Sequence, residues 1–388
     1  MLQAEIQPPG SVRFAALPPL ALYAHLPWCV RKCPYCDFNS HEKSDALPER
    51  EYVDALVADL EAMLPSVWGR RVTSLFIGGG TPSLFSPASI DALLSAIRAR
   101  IPLEPGAEVT LEANPGTAEA GRFRGYREAG VNRISLGIQS FDDAKLKALG
   151  RIHSAHEARR AIEMAQGAFD NVNLDLMYGL PQQTVAQAQA EIAQAARWGT
   201  THLSAYQLSI EPNTVFFSKP PVLPSHDTAA DMQLAVEEAL GAAGFEHYET
   251  SAFARPGRRC RHNLNYWEFG DYLGLGAGAH GKLSFSDRVT RHERPKPPRE
   301  YMAQAGTLKE SVIASRELPF EFMLNALRLV HGVPVERFEE RTGLALAAVA
   351  RKLAAAEEQG LLEGDPRRIR PTRRGRLFLN DLLQFFLP

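Results

Sequence analysis

Between residues 20 and 206 the sequence repeats one rhythm, a short apolar run followed by an amphipathic stretch, and that alternation constrains the fold more than anything else in the chain. The runs at 20–26, 74–77, 108–111, 133–138, 172–176 and 202–206 have the length and branching of buried strands. Between them, 49–63, 87–100, 118–129, 154–166 and 184–198 carry apolar residues at helical spacing, as with Tyr52, Val53, Leu56, Val57 and Leu60. Strands alternating with helices imply a parallel sheet with helices packed against it. Six strands without an obvious seventh and eighth predict an α/β fold of the incomplete (β/α)6 barrel type rather than a closed eightfold barrel.

The rest of the chain divides by composition. Residues 1–19 read as an N-terminal tail, 20–250 as the partial barrel, 251–300 as an irregular segment and Pro-rich linker, and 301–388 as a smaller, mainly helical domain. Within the last, Arg367-Arg368-Ile369-Arg370-Pro371-Thr372 suggests a short hairpin arm. A net charge of −2 provides no general pull toward nucleic acid or anionic membranes. The absence of a secretory leader and of any apolar run of about 18 residues predicts a cytoplasmic protein with no transmembrane segment.

Function in such folds collects at the carboxyl ends of the strands, where Cys29, Gly79, Glu112, Gln139 and Asp175 all fall. Three of the four cysteines lie within eight positions, as Cys29-x-x-x-Cys33-x-x-Cys36 directly after the first strand. Such crowding suits a metal site in a reducing compartment better than a disulfide framework. Three thiolates can hold three irons of a cubane and leave the fourth open; zinc with a distant fourth ligand is the competing use. Gly78-Gly79-Gly80, after the second strand, lets backbone approach a ligand closely or simply makes a tight turn.

Cys29-x-x-x-Cys33-x-x-Cys36 with Tyr35 before the third cysteine resembles the signature of the radical S-adenosylmethionine (SAM) superfamily. That resemblance implies a 4Fe-4S cluster on Cys29, Cys33 and Cys36, with SAM chelating the open iron and cleaved to a 5′-deoxyadenosyl radical. Gly78-Gly79-Gly80-Thr81-Pro82, Glu112, Gln139-Ser140-Phe141, Arg151 and Asp175 together resemble the coproporphyrinogen dehydrogenase (HemN) branch. By motif position the branch implies SAM contacts at Tyr23, Gly79, Gly80, Thr81, Glu112, Gln139, Arg151 and Asp175.

Pro27-Trp28-Cys29, Cys36-Asp37-Phe38-Asn39-Ser40-His41, Gly150-Arg151-Ile152-His153 and His262-Asn263-Leu264-Asn265-Tyr266-Trp267 are similar to the HemW family of HemN-like heme chaperones, from about residue 20 to the end. The likeness implies heme as a bound partner and heme-acceptor proteins, respiratory-chain ones among them, as recipients. It also leaves room for a homodimer and for transient membrane association, and it includes no nucleic acid. Two departures from HemN stand against porphyrinogen decarboxylation: Phe38 occupies the place of a further cysteine, and HemN's N-terminal extension has no counterpart. Decarboxylation of coproporphyrinogen III by a SAM-derived radical is the alternative activity, and a radical enzyme with another substrate is a third. No residue is assigned a catalytic role.

The heme ligand is expected at His262, beside Tyr266 and Trp267, with Cys260 as a soft alternative and His247 and His280 behind them; as bare chemistry His262 could equally seal the barrel. Gly276-x-Gly278-x-x-Gly281 satisfies a dinucleotide fingerprint, but it reads as following no clear strand and opening no helix, so NAD is not expected.

Overall fold

The computed structural model describes residues 11–43, 46–117 and 120–388. Residues 1–10 of the expected tail, and the first two of the helix expected at 118–129, lie outside the described residues.

The six expected strands are present as β1 (Leu20–Leu26), β2 (Val72–Gly79), β3 (Leu103–Ala113), β4 (Arg133–Gln139), β5 (Val172–Tyr178) and β6 (His202–Gln207). They lie side by side in chain order, all parallel. Between them run α1 (Glu49–Met63), α2 (Pro87–Arg100), α3 (Ala120–Ala129), α4 (Asp143–Ala148), α5 (Ala155–Gln166) and α6 (Val185–Ala196). The short α4, capped by Asp142, was not anticipated from periodicity. Ser154 and Thr184 start α5 and α6 as capping boxes, each hydroxyl accepting from the backbone N–H three residues on.

The segment from 251 onward is not irregular. After the helix α7 (His226–Ala242) and the strand β7 (Glu246–Glu249) come β8 (Ala252–Ala254), the helix α8 (Arg261–Trp267), β9 (Asp271–Leu275), β10 (His280–Ser284), β11 (Val289–Glu293) and β12 (Lys309–Val312). All join one open sheet in the order β12-β11-β10-β9-β1-β2-β3-β4-β5-β6-β8-β7. Strand β9 is parallel to β1, with Leu22 opposite Leu273, so a seventh parallel strand, 251 residues away in sequence at this pair, joins the free edge of β1. The glycine fingerprint at 276–281 therefore does follow a strand, but it runs into strand β10 rather than a helix, which keeps NAD excluded.

The barrel core gathers Leu22, Leu56, Leu75, Leu111, Ile134 and Leu174, all fully enclosed. A second core, around Phe322, Phe338, Leu382 and Phe386, holds the C-terminal helices together and takes in Phe269 and Val289 from the sheet. Val12 and Phe14 pack on this second core, so the described end of the tail is docked. The arm at 367–372 pairs outward rather than on itself: Arg368 and Ile369 face Pro334 and Val333.

Candidate functional site

The carboxyl ends of the strands open into a cavity of about 390 Å³. Its walls include Cys29, Cys33, Cys36, Gly79, Gly80, Thr81, Glu112, Gln139, Arg151 and Asp175, which are all but one of the residues expected at the cluster and SAM sites. The exception is Tyr23, whose hydroxyl lies 2.9 Å from His25 Nδ1 and whose ring stacks on Phe76 beneath the cavity. Two placements differ in detail: Glu112 is the penultimate residue of β3, and Asp175 lies three residues before the end of β5, facing the barrel interior.

The cysteine loop is pinned by Trp28, which packs edge-on against Tyr52 with ring centres 4.7 Å apart. Each thiol has its own neighbour. The Thr81 hydroxyl donates to Cys29 Sγ at 3.5 Å, Arg151 Nη1 donates to Cys33 Sγ at 3.6 Å, and Cys36 Sγ lies 3.7 Å from Ser40 Oγ. Burial raises the Cys29 and Cys36 thiols, and the Thr81 and Ser40 hydroxyls oppose it. Among the described residues no three ligand side chains converge on one ion. A cubane binds each thiolate to a different iron, so three thiols around a shared cavity, none spent in a disulfide, fit such a cluster while fitting a single zinc poorly.

Beside the thiols lies the polar end of the cavity. Gly79 has φ +117°, and a Cβ there would stand 2.6 Å from the His25 ring, so only glycine serves. Its N–H donates to Glu112 Oε2 at 3.1 Å. Burial lifts the Glu112 carboxyl to about 8, the neighbouring Asp175 charge adds to the rise, and the Gly79 N–H and Arg133 oppose it. Asp175 is likewise raised by burial, against hydrogen bonds from Ser135 Oγ (2.9 Å) and Asn173 Nδ2 (2.9 Å). Two carboxyls held close in a low-dielectric pocket suit a ligand that brings a cationic group or sugar hydroxyls.

Sequence reading missed the group that shapes this wall. Gln139 has φ +65°, a left-handed conformation that is uncommon outside glycine. The next two residues are held by Glu191 of α6, which accepts from Ser140 Oγ and from the Phe141 N–H, the latter at 2.5 Å. Gln183 adds a third hydrogen bond to the same carboxylate at 3.3 Å. A signal was present, since Glu191 is the single charged residue in the sequence of α6.

The heme candidates are placed elsewhere. His262 is 2% exposed near the amino ends of the strands, with Nδ1 3.1 Å from Ser74 Oγ and its ring stacked on Phe76 at 5.0 Å. Its Nε2 has no hydrogen-bond partner among the described residues, and burial, with Arg133 nearby, lowers its pKa to about 3. Cys260 is 0% exposed, donates to Glu108 Oε1 at 3.4 Å, and burial pushes its thiol up to about 12. In this arrangement α8 plugs the barrel from below, and a porphyrin has no approach to either side chain. His247 is stacked on Phe253 with ring centres 4.3 Å apart, and His280 is exposed.

Residues 23–194 match the radical SAM superfamily and residues 313–378 match the HemN C-terminal domain. Over 373 residues the chain is 49% identical to a heme chaperone HemW of Escherichia coli, covering 96% of this chain and 99% of that protein. It is 48% identical to a heme chaperone HemW of Haemophilus influenzae, again over 96% of this chain and 98% of the relative. The chain belongs to the HemW family. A likeness also extends to the bovine mitochondrial radical S-adenosyl methionine domain-containing protein 1, 37% identical over 97% of this chain and 87% of that protein. The solved coproporphyrinogen III oxidase HemN of Escherichia coli superposes with a TM-score of 0.79 at 24% identity, over 95% of this chain and 90% of that one, and shares the fold of this HemW-family member. The superfamily implies a 4Fe-4S cluster and SAM, in keeping with the thiols and the polar wall described above. Among the described residues no helix is long and apolar enough to cross a membrane.

Proposed function

We propose that this chain is a cytoplasmic heme chaperone. It holds a 4Fe-4S cluster on Cys29, Cys33 and Cys36, binds SAM along Gly79, Gly80, Thr81, Glu112, Gln139, Arg151 and Asp175 with Tyr23 beneath, and passes heme to acceptor proteins, those of a respiratory chain included. The observation that carries this reading is end-to-end similarity to heme chaperones at nearly half identity, with the cluster cysteines and the polar wall assembled in one cavity. Held on these thiols, the cluster would supply the one-electron chemistry that the superfamily directs at SAM. The protein's own groups do the rest: Arg151 sets a positive charge beside Cys33, the Gly79 N–H and Glu112 line the place for the amino-acid end of SAM, and Asp175 and Gln139 face its remaining polar groups.

Phe38 favours the chaperone over the decarboxylase. It is 61% exposed at the cavity wall, where HemN carries a further cysteine, and presents a flat apolar surface instead. For the heme ligand, His262 and Cys260 serve only if α8 swings out, so His280, exposed on β10, is the first residue to test. Anaerobically reconstituted protein, titrated with heme and assayed separately with coproporphyrinogen III, SAM and a reductant, tests the whole reading. Stoichiometric heme binding with transfer to an apo heme protein, and no decarboxylated product, is expected; turnover of the porphyrinogen would replace this reading with the HemN activity.

A further inference from the structure

The glycines at 276 and 278, set aside above as a nucleotide motif, pack directly under the cysteine loop. A Cβ at Gly278, where φ is +71°, would stand 2.4 Å from Asn39 Nδ2, and one at Gly276 would stand 2.4 Å from the His25 carbonyl. Neither position admits a side chain, and what excludes it is the chain on either side of the cluster cysteines. Asn39 lies three residues beyond Cys36 and spends its whole carboxamide here. Nδ2 donates to the Ala277 carbonyl and to the Lys296 carbonyl, each at 2.9 Å, while His41 Nε2 lies 3.2 Å from Oδ1. Its backbone carbonyl, which can only accept, takes a hydrogen bond from His25 Nε2 at 2.9 Å, so His25 Nδ1 accepts from the Tyr23 hydroxyl.

The other side of the turn is fixed to α1. Tyr52 donates to the His25 carbonyl at 2.8 Å and accepts from the Ala277 N–H at 2.9 Å. Gly276 N–H donates to Asp59 at 3.3 Å, and the enclosed Arg294 pairs with the same carboxylate at 2.9 Å. The turn is thus held from below by α1, and from the cysteine loop by Asn39.

We propose that Asn39 is a positioning residue that ties the cluster loop to the 276–278 turn, so that cluster assembly and the ordering of residues 276–296 are one cooperative event. The inference rests on the cluster assignment made above. Iron bound at Cys36 fixes the loop, the loop fixes the carboxamide, and the carboxamide holds two carbonyls that lie 19 residues apart in the sheet extension. A carboxylate of the same shape has no N–H to donate and would set negative oxygen against those carbonyls, so the site distinguishes asparagine from aspartate by both donor and charge.

The test compares amide hydrogen exchange over 276–296 in iron-free and reconstituted protein, wild type and the variants Asn39→Asp, Asn39→Ser and Gly278→Ala, and cluster lifetime under chelator in all four. Wild type should gain protection across 276–296 on reconstitution. Asn39→Asp and Gly278→Ala should keep the wild-type far-ultraviolet dichroism, lose that gain, and release iron at least severalfold faster, with Asn39→Ser intermediate. Should a variant fail to fold, the wild-type exchange comparison still decides. Unchanged exchange in a wild type that does carry a cluster overturns this inference alone, as does a wild-type cluster lifetime in Asn39→Asp. A wild type that takes up no cluster overturns both this inference and the reading it rests on.

Discussion

At the carboxyl ends of the strands Cys29, Cys33 and Cys36 stand half-buried around an open cavity, whereas toward the amino ends Cys260 and His262 are enclosed by β2, β3 and α8. The residue types are the same; their surroundings are not. Around the upper thiols lie two hydroxyls and a guanidinium, groups that favour a thiolate. Around Cys260 burial holds the proton on, with Arg133 opposing it and the Glu108 carboxylate adding to it. Donor chemistry alone therefore does not make a ligand; burial and access to the cavity decide.

The largest effect that would break this contrast concerns iron. Cys29→Ser, Cys33→Ser and Cys36→Ser should each abolish the cluster after anaerobic reconstitution, while Cys260→Ser should retain the about four irons per chain that a cubane holds. Iron and acid-labile sulfide assays check it, and a full cluster in Cys33→Ser would sink the upper site.

Next comes the polar wall. The folded pKa of Glu112, near 8, lies above its ordinary 4.5, so the folded chain binds this proton more tightly than the unfolded one, and its burial lowers stability progressively as pH rises from about 4.5 to 8. A ligand with a cationic amino group favours the ionised form. SAM binding below pH 8 should then release a proton, measurable by calorimetry in buffers of different ionisation heat. Glu112→Gln should abolish that release and weaken SAM by about 1.5–3 kcal/mol, the worth of a charge-assisted hydrogen bond. Proton release that persists in the variant would move the titration to another group.

A smaller effect is expected one step behind the wall. Glu191→Ala frees Ser140 and Phe141 from the carboxylate that holds the left-handed Gln139 in place, and should weaken SAM by about 1–3 kcal/mol with iron content unchanged. Glu191→Gln keeps acceptor oxygen toward the Phe141 N–H and should recover most of the affinity. Equal losses in both variants would assign Glu191 to charge rather than positioning.

How much of this was legible in the sequence follows from range. The six strands and the helices between them were, because each buries a face that its own residues declare, and the three cysteines were, because their spacing is local. Strand β9 was not: Asp271, Gly274 and Leu275 form no alternating pattern, and the strand exists because β1 offers a free edge. Glu191 and Asn39 act across 50 and 257 residues, and no local signal states such a partner. His262 was legible as a special residue but not as a plug, since the order of residues in α8 is the same whether its imidazole faces a ligand or Ser74.

That last ambiguity yields the smallest expected effect, and it tests the lower region directly. If α8 is a plug, His262→Gln should leave heme affinity and the Soret spectrum unchanged while lowering stability, and His280→Ala should be the substitution that alters the spectrum. The pH profile gives an independent reading. His262 titrates near 3 in the folded chain against an ordinary 6.5, so between those values the unfolded chain holds the extra proton and stability falls as pH drops through that window. Removing the imidazole should flatten part of that fall in heme-free protein; other histidines lowered by burial, His202, His25 and His153 among them, contribute to the rest. A Soret shift in His262→Gln, with the acid limb of the stability profile unchanged, would mean that the imidazole spends its time outside the barrel, and α8 would then be a door on the heme site rather than its floor.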